Sequence, residues 1–192
     1  MRGLAFVVAV CVFSSCQQSE IRYDKPYFDF DSLVSTQVKS LAKSKWKKIS
    51  RLNQKSDTVV IQPDSMRAEL DVFTQLDVIN KPIFKRKYAV EEKKDVHSNL
   101  IVRRYQFKED ETDKLKSSVP FVEFYYYNRF SDLRKIISVI NEKNLLLKSS
   151  RQLSLEFEDG NQKKIIAYEI EGFQKMLLAD SVILSIRSVR SN

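Results

Sequence analysis

His97 is the single histidine of this 192-residue chain, and Cys11 and Cys16 are its two cysteines. A serine or cysteine nucleophile needs a base. A lone imidazole in a polar stretch, with no Gly-x-Ser-x-Gly elbow anywhere, does not supply a hydrolytic triad. The usual zinc sets draw on several His and Cys, which are lacking. Glu109, Asp110, Glu111 and Asp113 are dense enough for calcium but lack the glycine and alternating spacing of a calcium loop. Glu123 and Glu169 sit in otherwise apolar segments, where burial could poise them as acids. Glycan hydrolysis by such a pair requires the two carboxyls to face each other across about 5 to 9.5 Å. Phe121, Phe124, Tyr125, Tyr126 and Tyr127 have the broad faces that stack on sugar rings, line a lipid cavity or pack a core. No catalytic residue, cofactor site or metal site is expected from these residues.

The elements that must position them change period along the chain. From Asp29, the residues Phe30, Leu33, Val34, Val38 and Leu41 recur every three or four positions. This spacing predicts an amphipathic helix over 29–45, capped by Asp29 or Asp31, with Trp46 near its end. Residues 49–52 and 58–61 read as a short hairpin around the polar patch 53–57. Met66, Leu70, Phe73, Leu76 and Ile79 predict a second helix, which Asn80-Lys81-Pro82 stops. Beyond residue 100 the pattern turns β-prone: 100–107, 119–128, 133–140, 145–157, 163–173 and 182–189 read as strands. The gaps are too short for helical crossovers, so neighbours must pair antiparallel. Glu158-Asp159-Gly160-Asn161 is the best turn signal, and Gly172 marks a bulge or bend. The expected fold is α+β: two N-terminal amphipathic helices packed on a curved antiparallel sheet of about five or six strands, as one domain over 27–192.

The first residues give an address. Arg2 precedes an apolar run over 4–13, too short to cross a bilayer, and then Phe13-Ser14-Ser15-Cys16. This resembles the signal peptide and lipobox of bacterial lipoproteins, with Phe where Leu is common. The resemblance implies cleavage after residue 15, lipid on Cys16 and a polar tether over 16–26. Cys11 leaves with the peptide, so no internal disulfide remains. With 33 Lys and Arg against 25 Asp and Glu, the net charge is +8, which suits acidic glycans, anionic lipid or nucleic acid. Export removes nucleic acid from that set. The densest basic stretches are Lys43, Lys45, Lys47, Lys48 and Arg51, then Lys81, Lys85, Arg86 and Lys87.

Glu69-Leu70-Asp71-Val72-Phe73, Asp77-Val78-Ile79-Asn80-Lys81-Pro82 and Tyr168-Glu169-Ile170-Glu171-Gly172-Phe173-Gln174-Lys175 resemble segments of uncharacterised envelope lipoproteins of Bacteroidota. The resemblance implies an envelope address and brings no activity. The expected function is a non-catalytic lipoprotein, anchored through Cys16 at the periplasmic face of the outer membrane, that binds an envelope protein or an acidic glycan. Asn80, Lys81, Tyr125 and Tyr127 are the candidate interaction residues. The alternatives are a carrier holding a hydrophobic ligand or lipid between sheet and helices, and the carboxylate hydrolase above.

Overall fold

A computed structural model describes residues 24–41, 44–61, 66–84, 86–109, 115–160 and 164–191. The expected signal peptide, Cys16, most of the tether, Lys43, Lys85, Asp110, Glu111, Asp113 and Asn161 lie outside the described residues. Among those described, no helix is long and apolar enough to cross a membrane.

Helix α1 spans Phe30–Ser40, and Asp29 caps it by accepting a hydrogen bond from the Ser32 amide. It buries Phe30, Leu33, Val34 and Gln37, the face that the three-and-four spacing predicts. The strands β1 (Lys45–Leu52) and β2 (Lys55–Ile61) form a hairpin. Asn53 turns it with φ 53°, a conformation that Asn tolerates better than most residues. One turn of α-helix, α2 (Arg67–Leu70), then passes into a ten-residue 3₁₀ helix, Asp71–Asn80, and a further 3₁₀ turn, Pro82–Phe84. Seven strands follow: β3 (Tyr88–Lys94), β4 (Ile101–Phe107), β5 (Phe121–Tyr126), β6 (Leu133–Lys143), β7 (Leu147–Phe157), β8 (Ile165–Met176) and β9 (Val182–Ser191).

All nine strands form one antiparallel sheet in the order β2-β1-β9-β8-β7-β6-β5-β4-β3. The expectation of two helices on five or six strands is therefore corrected: the described residues are largely β, with two short helices among them. Four physical causes account for the difference. The hairpin is not an appendage, because β1 pairs with β9 along its whole length, from Lys45 opposite Ser191 to Leu52 opposite Leu184. Trp46, placed at a helix end by the sequence, belongs to β1 and packs on Tyr168 with ring centroids 6.1 Å apart. Strand β3 is an edge strand whose exposed Glu91, Glu92, Lys93 and Lys94 carry no apolar alternation. In the second helix, Leu70, Phe73, Leu76 and Ile79 recur every third residue, which is the 3₁₀ period rather than 3.6.

The helical segments lie against one face of the sheet, termed the inner face. Its core joins Phe30, Leu70, Phe73, Leu76 and Ile79 to Trp46, Tyr105, Val122, Phe124, Ile136, Leu153, Leu155, Tyr168 and Ile170. Glu69 fastens α2 to the sheet by accepting hydrogen bonds from the Lys48 ammonium and, at 2.5 Å, the Tyr168 hydroxyl. Burial, and then the bond to Glu69, push the Tyr168 phenol up. Because neighbours alternate in direction, the β1–β2, β6–β7 and β8–β9 turns share one end of the sheet, the upper end. The β3–β4, β5–β6 and β7–β8 connections share the lower end.

Candidate functional site on the outer face of the sheet

Residues of opposite parity to the core point away from the helices and form an outer face. One cross-strand row there runs Glu91, Arg104, Glu123, Ile137, Ser154, Glu169, Arg187. Glu123 is nearly buried, its side chain 13% exposed, and both of its oxygens are engaged. Arg104 Nη1 donates to one at 2.7 Å and the Tyr125 hydroxyl donates to the other at 3.0 Å. Arg104 also donates through Nε and Nη2 to Gln106 Oε1, at 3.0 and 2.7 Å, and its guanidinium lies 4.2 Å from the Phe121 ring centroid. Partial burial, and then the hydrogen bond to Glu123, push the Tyr125 phenol up from 10.0 to about 12. This network keeps Tyr125 neutral and fixes its ring on the face.

Glu123 and Glu169 share the row, but β6 and β7 stand between their strands. Three strand steps separate them by roughly 14 Å. That exceeds the separation at which paired carboxyls cleave a glycosidic bond.

Tyr127 continues the parity of Tyr125 past the end of β5 and is 46% exposed. It borders a hollow of about 570 Å³ at the lower end, together with Leu100, Ile166, Arg134, Lys135 and Glu156. Tyr125 stands directly opposite Lys135 on β6. Lys135 Nζ meets Glu156 at 3.2 Å, and Arg134 Nη1 meets the exposed Asp159 at 2.6 Å. Solvent-facing pairs of this kind contribute on the order of 0–1 kcal/mol, so an incoming anion displaces them at little cost.

The other candidates fall elsewhere. Asn80 is 3% exposed, and its amide clamps the segment ahead of α1: Oδ1 accepts from the Tyr27 amide at 3.1 Å and Nδ2 donates to the Phe28 carbonyl at 2.9 Å. Lys81 follows it in extended conformation, exposed, where the 3₁₀ helix ends. His97 is exposed in the β3–β4 turn. Phe124 and Tyr126 point to the inner face and do not join Tyr125 and Tyr127.

The sequence did not single out the acidic cluster of Asp29, Asp31 and Asp77, whose ligand oxygens lie within 4.8 Å of one another. Lys25 Nζ reaches all three, at 2.8, 2.5 and 3.1 Å. Burial would lower the Lys25 pKa, but the hydrogen bonds its ammonium donates to the three carboxylates outweigh it and raise the value. Lys25 thus takes the place a metal cation would occupy, and the cluster locks the chain ahead of α1 onto the 3₁₀ helix. Its sequence signal is Lys25-x-x-x-Asp29-x-Asp31, but Asp77 is distant in sequence and joins only in the fold.

Comparison of the chain with family models, with curated proteins and with solved structures finds no match.

Proposed function

We propose that this protein is a non-catalytic, lipid-anchored envelope lipoprotein that binds an acidic glycan on the outer face of its sheet, around Tyr125, Tyr127 and Lys135. The observation that carries the proposal is the hollow where exposed Tyr127 stands beside Lys135 and Arg134. An aromatic face and a displaceable cation are the two groups that a sugar ring bearing a carboxylate or sulfate engages together. The distance between Glu123 and Glu169 favours binding over hydrolysis. A carrier role would need an enclosed apolar cavity, whereas the space between helices and sheet holds the aromatic core.

The test is binding of a polyuronic acid, against a neutral glucan, to the full chain. Tyr127→Ala and Lys135→Gln are each expected to weaken the acidic glycan by about tenfold. Equal binding of the neutral polymer, or indifference to both substitutions, would overturn the proposal. The anchor is tested separately. Cys16→Ser is expected to abolish incorporation of radiolabelled fatty acid and release the protein from the membrane fraction, and persistent labelling would reject lipidation at Cys16.

A further inference from the structure

We propose that the upper end of the sheet is a second membrane contact, which seats in the headgroup layer of an anionic bilayer. The β6–β7 and β8–β9 turns lie side by side there, tied by the Leu177 amide donating to the Leu146 carbonyl at 3.0 Å. Their apices are leucines: Leu145 is 92% exposed and Leu178 97%, with Leu146, Leu177 and Met176 also exposed. Scattered single apolar residues on a surface need no explanation, but five gathered on two adjoining hairpin tips do.

Just behind the tips, Lys143 of β6 is directly opposite Lys148 of β7, which is directly opposite Lys175 of β8. All three are exposed on the outer face, and none makes an ion pair among the described residues. Like charges in direct cross-strand register are unfavourable, and an anion lying against the row relieves the repulsion. Glu142 has inner-face parity and is held by Arg151 at 2.9 Å, while Asp180 is a carboxylate in the β8–β9 turn itself. Lys143 is two residues from Leu145, within about 7 Å along a strand. That is the offset between lipid phosphates and the acyl boundary, where interfacial apolar side chains insert by roughly 5–10 Å. Protruding tips with cations behind them match a fluid anionic surface.

This contact is independent of the glycan proposal, since Tyr127 and its hollow are at the other end of the sheet. The experiment uses the full chain carrying Leu178→Trp or, as a control at the lower end, Val96→Trp, where Val96 is 88% exposed in the β3–β4 turn. The natural Trp46 is fully buried and gives a constant background. With vesicles of brominated phosphatidylcholine and phosphatidylglycerol, Leu178→Trp is expected to be quenched and Val96→Trp to remain unquenched. Adding Lys143→Gln, Lys148→Gln and Lys175→Gln to a Leu178→Trp chain that also carries Cys16→Ser, so that no lipid holds it on the vesicle, is expected to reduce partitioning by about a hundredfold. Absence of quenching at position 178, equal quenching at both positions, or partitioning unchanged by the lysine substitutions would overturn the proposal. An anchor at Cys16 alone brings the chain to the vesicle without distinguishing the two ends.

Discussion

Phe124→Ala is expected to lower the unfolding free energy by about 3–5 kcal/mol. The ring has no exposed surface and stands among four others, with centroids 5.1 Å from Phe28, 6.0 Å from Phe30, 5.6 Å from Tyr105 and 5.3 Å from Phe130. These come from the segment before α1, from α1 itself, from β4 and from the β5–β6 turn. Each is held by its own element, so they cannot close together over the void. Collapse of a site is what lowers the cost of large-to-small substitutions, and here it is blocked. Phe121→Ala, on the outer face of the same strand, serves as the comparison, because Phe121 is only half-buried. Urea unfolding of the two variants and the parent measures the difference. A loss below about 1 kcal/mol for Phe124→Ala would show that the ring is not the hub the packing makes it.

The second large effect has the opposite sign from the one glycine usually produces. Replacing a mid-strand glycine by alanine ordinarily stabilises by about 0.5–1 kcal/mol, because glycine loses more freedom on folding. At Gly172 a Cβ would stand 2.2 Å from the Ser150 carbonyl oxygen and 3.0 Å from the Arg151 Cα, both on β7. Those are backbone atoms and cannot rotate away, so β7 and β8 must separate. Gly172→Ala is therefore expected to destabilise by about 2–3 kcal/mol. The same denaturant titration decides it, since an increase in stability would mean that the strands part without cost. Gly160, with φ 126° and open space around its missing side chain, is constrained by conformation alone and serves as the contrast.

What could be read from the sequence follows the range of the physics involved. The start of α1 was legible because capping by Asp29 and the stripe from Phe30 are local. The six strands after residue 100 were legible because alternation and aromatic content are local as well. Strand β3 was not, since an edge strand with two exposed sides needs no apolar pattern. The nine-strand count was not legible either, because β1 finds its partner β9 at the far end of the chain. At the candidate site, Tyr125 and Tyr127 share a face by simple parity. Their neighbour Lys135 depends on the β5–β6 register, which shifts between Tyr125 and Tyr126. The row of Lys143, Lys148 and Lys175 depends on two registers at once. Asn80 was correctly seen at a helix stop, yet nothing local reveals that its amide is occupied by Tyr27 and Phe28.

The pairing of β1 with β9 bears on the order in which the chain can assemble. Strands β3 to β9 form an uninterrupted meander, each closing on its immediate predecessor through a connection no longer than residues 108–120, so each pairing is local in sequence. The β1–β2 hairpin closes just as locally, but it docks only on the last strand, across more than a hundred intervening residues. Contacts so distant carry a large loop-closure cost before they contribute any stability, and they dominate the time a chain takes to fold. The N-terminal hairpin must wait for the C-terminus, and its apolar side, Trp46 above all, stays open to water until β9 is in place.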